Sequence, residues 1–353
     1  MLMKDNDLAG LQGFQEFTDS QRQTYRTAIA SYRAYQEAVR QHRLFHGGMH
    51  WKKIRGRGYL YRYRDRCGHG ESLGPRSETT EQIYSDFAQQ RQEVTARLQA
   101  QRLRLKEGAR FCRAAAIHRV PAAVAKILRR LELDEQGRNL LVVGPAALFA
   151  YEFAAGVFLA GSGAAGLRAD ASRGLTLAGN GQLSPHELLR LLRQADRSFA
   201  RLEGEGCRAA NREGFLVTVL TSGDRRPGRQ RALTVPGARE PLPPDAGKLR
   251  YLAASPKLAQ VVIGADGGPA TMVVPDPRAF ALHQLWRSQQ QDREAAHRTW
   301  DLSQALAVAE LVLRYLPQYD FSSSELEMFP RELVREAEGM AEEMAEEFLT
   351  DLG

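Results

Sequence analysis

The apolar and polar positions of this 353-residue chain change period several times, and each change marks an element. Over residues 14–45 apolar side chains recur at intervals of three and four, with Tyr25, Ile29, Tyr32 and Tyr35 on one side, which predicts one amphipathic helix. His46, Gly47 and Gly48 break it. The period then drops to two. Tyr59, Tyr61 and Tyr63 fall on one face of a strand, Leu60, Arg62 and Arg64 on the other, and Gly56, Arg57 and Gly58 supply the turn back to residues 51–54. After a turn at SLGPRS, Ser77 is the expected N-cap of a long helix over 78–110, with Ile83, Phe87, Val94, Leu98 and Leu105 as its buried stripe. A shorter helix over 122–131 and a polar turn over 134–138 follow.

Residues 139–152, NLLVVGPAALFAYE, are the centre of the pattern. An apolar run, Leu140 to Val143, meets Gly144 and Pro145 and passes into a helix-favouring run, as a buried strand turning into a helix does. Such a turn gathers backbone N–H groups at the positive end of a helix, so Gly144 and Pro145 are candidate phosphate-binding positions. The plain alternative is a turn with no ligand. The next segment holds Gly161, Gly163 and Gly166 in a GxGxxG spacing. A dinucleotide loop needs a clear helix after the third glycine, whereas LRADASRG is short and polar, so the segment reads as a small-residue loop.

Ser184, Pro185 and Glu187 spell a capping box for a helix over 184–199, and 214–220 reads as a strand. Residues 224–248, rich in Pro, Arg and Gly, form a long loop. Apolar runs at 260–263 and 270–274 flank GADGGP, a hairpin in which the glycines serve the turn. From Pro277 onward the pattern is helical, over 278–290, 298–315 and 332–349.

Composition excludes several classes. No window approaches the ~18 apolar residues of a membrane span, and the N-terminus has no apolar leader core, so the expectation is a cytoplasmic protein without a membrane. Cys67, Cys112 and Cys207 are too few and too scattered for a disulfide framework or a thiolate zinc site. The eight histidines show no HExxH spacing.

Charge is uneven. Residues 1–120 carry 22 Lys and Arg against 12 Asp and Glu, whereas residues 318–353 carry 2 against 11. The basic end is densest at Lys52, Lys53, Arg55, Arg57, Arg62, Arg64 and Arg66, interleaved with Trp51 and the three tyrosines. Guanidinium groups pair with phosphate while rings stack on bases, so this hairpin is a candidate surface for nucleic acid or for an acidic protein partner, in an oligomer or hetero-complex. The alternative is a two-faced hairpin whose tyrosines pack on a helix and whose arginines are merely solvated.

Several phrases together, SLGPRS at 72–77, LLVVGPAALFAYE at 140–152, LLRLLRQADRSF at 188–199, NREGFLV at 211–217, VVIGADG at 261–267 and MVVPDPRAFALHQLW at 272–286, resemble a bacterial nucleotidyltransferase-like family of the DNA polymerase β superfamily. The resemblance spans roughly residues 50–317 and implies an α+β fold. It divides as an N-terminal helix (1–46), a basic aromatic hairpin (47–76), a helical connector (77–135), a mixed-sheet core (136–275) and a C-terminal helical region with an acidic tail (276–353).

The superfamily transfers a nucleotidyl group with two metal ions held by an Asp-x-Asp pair on one strand and a third acid on a neighbour. Matched through Leu175-Thr-Leu-Ala178, the pair falls on Ala164 and Gly166, and the third acid on Thr218. The usual Ser or Thr after the central glycine is Pro145, and the usual lysine of the ALHKLW helix is Gln284. Asp170 and Asp196 remain, one beyond the pair and one on a helix. These substitutions imply a nucleotidyltransferase fold without its metal site, serving as a binding or scaffold subunit and needing no cofactor. Two alternatives stay open: an active enzyme that uses Mg²⁺ and a nucleoside triphosphate through other acids, and a nucleic-acid-binding module of unrelated chemistry.

Overall fold

The computed structural model describes residues 13–45, 47–63, 69–134, 137–179, 184–202, 207–221, 249–291, 293–321, 324–327 and 329–340. The chain divides into two compact units, Gln23–Ala115 and the remainder.

It opens with a short strand, β1 (Phe14–Glu16), and helix α1 (Asp19–Arg43). The expected single helix from residue 14 is thus shortened. β1 is drawn into an antiparallel pair with a strand over 140 positions away, and Phe17 is buried against Phe153 and Phe158. Local period cannot reveal such a partner.

In the unit Gln23–Ala115, β2 (Gly48–Ile54), β3 (Arg57–Tyr63) and β4 (Gly70–Pro75) form a three-stranded antiparallel sheet, followed by α2 (Glu78–Ala114). The turn between β2 and β3 is Arg55–Gly56, one residue earlier than expected, and both residues have positive φ, 49° and 82°. That is the geometry of a tight turn matching strand twist. SLGP, expected as a turn, is part of the third strand, with a register shift opposite Leu60 and Tyr61. Ser77 caps α2 reciprocally with Thr80. The expected buried stripe of α2 is reduced to Leu98: Ile83 is 38% exposed.

The remainder is built on a mixed five-stranded sheet in the order β5 (Leu141–Val143), β7 (Gly174–Gly179), β10 (Leu216–Thr221), β9 (Cys207–Ala210), β8 (Ala200–Arg201). β7 and β10 run parallel and the other pairs antiparallel. Helix α3 (Ala122–Leu131) precedes β5; α4 (Leu148–Ala155), β6 (Val157–Leu159) and α5 (Gly161–Arg173) lie between β5 and β7; α6 (Pro185–Ala195) follows β7. α6 has the expected capping box, Ser184 with Glu187, and ends at Ala195. Beyond α7 (Leu249–Ala254), the hairpin β11 (Lys257–Ile263) and β12 (Pro269–Pro275) forms where expected and leads to α8 (Pro277–Ser288) and α9 (Ala295–Tyr315), which pack together. Residues 331–340 are helical; the rest of the expected last helix lies outside the described residues.

The core is where the apolar runs meet. β5, β6 and most of α4 are buried on all sides, including Phe149 and Tyr151 at 0% exposure. Among the described residues no helix is long and apolar enough to cross a membrane.

Candidate functional site

The strand–glycine–helix turn forms as the sequence indicates. β5 ends at Val143, and Gly144 adopts φ 73° and ψ −162°, a region closed to L side chains. Pro145 then starts a 3₁₀ turn, Pro145–Ala147, which runs into α4. Pro145 contributes no N–H, and α5 lies against this turn.

α5 is the largest departure from expectation. The GxGxxG segment is the first part of a helix, not a loop. Leu167 and Ala171, one turn apart, are fully buried, and that burial outweighs the weak helix propensity of three glycines. The helix matters chemically. Residues two apart share a face on a strand but stand about 200° apart around a helix. Positions 164 and 166 therefore cannot converge as an Asp-x-Asp pair on a strand does. Gly166 also faces the Trp300 ring, which a Cβ there would touch at 3.4 Å.

Thr218 sits in β10, with Thr176 of β7 opposite it on one side and Arg208 of β9 on the other; Thr176 is in turn opposite Val143 of β5. Directly opposed residues share a sheet face, so Val143, Thr176, Thr218 and Arg208 form one row across four strands. Both threonines are half-buried. Two hydroxyls between a valine and a guanidinium lack the anionic oxygens that a divalent ion requires, so these residues do not fit a two-metal centre. Among the described residues no group of three His, Cys, Asp or Glu is placed to hold a metal ion.

Asp170 and Asp196 lie apart from that row. Asp196 accepts from the Ser198 N–H (2.9 Å), the Ser198 hydroxyl (2.8 Å) and the Asn211 amide (3.0 Å), and the two Ser198 bonds hold its carboxyl below the usual range. It fastens the turn after α6. Asp170 pairs at 3.8 Å with Arg173 of its own helix.

Gln284 is buried between α8 and α9, where its amide donates to Gln304 at 3.0 Å. Beside it Asp301 meets Arg293 at 2.6 Å and Arg287 at 3.6 Å. Burial pushes the Arg287 guanidinium down to about 10 and raises the Asp301 carboxyl against the pull of both arginines. This apposition of charges inside a helix pair has no local signal in the sequence.

Lys52, Lys53, Arg55, Arg57 and Arg62 lie on β2, β3 and their turn and are exposed; Arg64 and Arg66 fall outside the described residues. The three tyrosines share one face of this sheet and are half-buried. Leu60 (0% exposed) and Met49 are buried on the opposite face, where Trp51 meets Tyr84 of α2 with ring centroids 6.0 Å apart.

Two arginines missed by sequence reasoning hold the frame. Arg129 of α3 donates to both Asp266 oxygens (2.6 and 2.8 Å) and to the carbonyls of Gly268 and Pro269, clamping the β11–β12 turn. A Cβ on Gly268 would stand 2.7 Å from that guanidinium, so this glycine serves the clamp as well as the turn. Arg278 of α8 binds Asp276, the Asp320 carbonyl and Glu325.

A family model described as nucleotidyltransferase matches residues 122–329. No curated protein and no solved structure matches the chain.

Proposed function

The chain belongs to the nucleotidyltransferase family, and from that premise we propose that it has given up metal-dependent transfer and serves as a binding or scaffold subunit of a larger assembly. The observation that carries this reading is the row Val143, Thr176, Thr218, Arg208, where a carboxylate position is held by a hydroxyl and its neighbour is a cation. A cationic residue in that row, where the reaction needs carboxylates, disfavours divalent ions. The helical form of α5 supports it, because it turns positions 164 and 166 away from a common point. The engagement of Asp196 by Ser198 and Asn211 supports it too.

The test is incubation of the full chain with labelled nucleoside triphosphates, Mg²⁺ or Mn²⁺, and protein, RNA and small-molecule acceptors. No metal-dependent labelling is expected. Labelling that disappears in Asp170→Asn or Asp196→Asn overturns the reading and establishes an active nucleotidyltransferase.

A further inference from the structure

Strand alternation sorts the β2–β3–β4 sheet into two faces. One carries Met49, Trp51 and Leu60 and is closed by packing. The other carries His50, Lys52, Ile54, Arg57, Tyr59, Tyr61 and Tyr63. On it the three tyrosines are half-buried, while His50, Lys52 and Arg57 are exposed. Tyr61 and Tyr63 lie nearly parallel, with centroids 6.3 Å apart and planes 26° apart. Lys52 Nζ stands 5.5 Å over the Tyr61 ring, and the His50 ring is 5.9 Å from Tyr63. Residues 48–63 contain no acidic side chain; Glu71 of β4 is opposite Arg62, on the other face.

A solvated face of an antiparallel sheet is ordinarily polar, so three successive rings with cations at their margins call for a partner that offers rings and negative charge together. Nucleic acid does, in a repeat that suits rings spaced every second residue. An acidic protein offers the charge without the rings. A duplex hides its base faces, whereas a single strand presents them.

We propose that this face of the sheet binds single-stranded nucleic acid, with Tyr59, Tyr61 and Tyr63 stacking on bases and Lys52 and Arg57 meeting the phosphates. The proposal stands on β2, β3 and β4 alone and is independent of the reading given for the mixed sheet.

The experiment is fluorescence anisotropy of the full chain with labelled oligouridylate, oligothymidylate, a duplex of mixed sequence and a polyglutamate peptide, across a salt series. Single strands are expected to bind more tightly than duplex, and the two single-stranded probes separate RNA from DNA. Tyr61→Leu/Tyr63→Leu keeps bulk in the strand and should weaken binding about tenfold per ring with the salt slope unchanged. Lys52→Glu/Arg57→Glu should flatten the log–log slope by about 0.7 for each phosphate that is no longer neutralised. Lys106→Glu/Arg110→Glu on α2 controls for general attraction and should leave affinity within about twofold. Circular dichroism confirms that each variant is folded. Undiminished binding in the tyrosine variant, equal affinity for duplex, or an equal loss in the α2 control overturns the proposal. So does polyglutamate binding that is as tight and as dependent on the tyrosines, which would make this a docking face for an acidic protein.

Discussion

Arg278 grips Asp276, two residues before it, through Nε to Oδ1 at 3.0 Å and Nη2 to Oδ2 at 2.7 Å, while the same Oδ1 accepts the Arg278 N–H at 2.8 Å. Asp276 is thus both N-cap of α8 and counter-ion of its second residue, which accounts for PDPR as a unit. Both side chains are at most 2% exposed, and the guanidinium also lies over the Tyr319 ring at 5.2 Å. Burial alone would lower the Arg278 pKa, but Asp276 and Glu325 hold it above its ordinary value.

Arg278→Met should therefore cost about 3–5 kcal/mol, because it strands a buried carboxylate. Arg278→Lys should recover little, having no fork to span both oxygens. Asp276→Asn together with Arg278→Met should be milder than the arginine change alone. Denaturant midpoints with unchanged slopes check all three.

Arg55 occupies a left-handed conformation at φ 49° next to Gly56, at a cost that asparagine or glycine does not incur. Arg55→Asn should raise stability by about 1 kcal/mol. A thermal melt reads this. A lower melting temperature would mean that the arginine side chain itself holds the turn.

Acid should loosen the β11–β12 turn. Burial pushes the Asp266 carboxyl up, but the Arg129 bonds and charge outweigh it and hold it below its ordinary value. Its contribution is therefore complete above roughly pH 4, its unfolded value, and is lost as pH falls through the lower folded value. Asp266→Asn should flatten that acid limb while lowering stability near neutrality by about 1 kcal/mol, a modest figure because Asp266 is 43% exposed and water screens the pair. Urea titrations across an acid pH series test the shape.

On the proposed reading, acids placed at positions 164 and 166 should supply no transfer. Ala164→Asp/Gly166→Asp places its carboxylates on a helix, about 200° apart, with one against Trp300, and leaves Thr218 beside Arg208. Neither Mn²⁺ binding by electron paramagnetic resonance nor labelling by triphosphate is expected. Metal binding in this variant would show that α5 can revert to a strand.

What the sequence made legible was local. The strand, glycine and helix at 140–152, the Ser184 and Glu187 box and the GADGGP turn each carry their own signal within a few residues, and all formed. What stayed hidden depended on partners distant in the chain. Phe14–Glu16 is a strand only because Val157–Leu159 pairs with it. Glycines at 161, 163 and 166 punctuate a sequence pattern, yet burial of Leu167 and Ala171 makes that stretch a helix. For the candidate site, Thr218 is singled out in the chain only by resemblance, and Arg208 beside it depends on a strand register that no local pattern encodes.

The Arg129 clamp also bears on when the molecule is finished. It joins residues 137 positions apart, with the entire mixed sheet in the intervening chain. Closing so long a loop costs about 4 kcal/mol in chain entropy, more than one ion pair returns, so the clamp waits until β5 to β10 have assembled and shortened the path. It is therefore expected to form on the native side of the folding barrier. Loss of Arg129 should leave the folding rate nearly untouched and make the folded molecule open faster, so its worth is measured in lifetime.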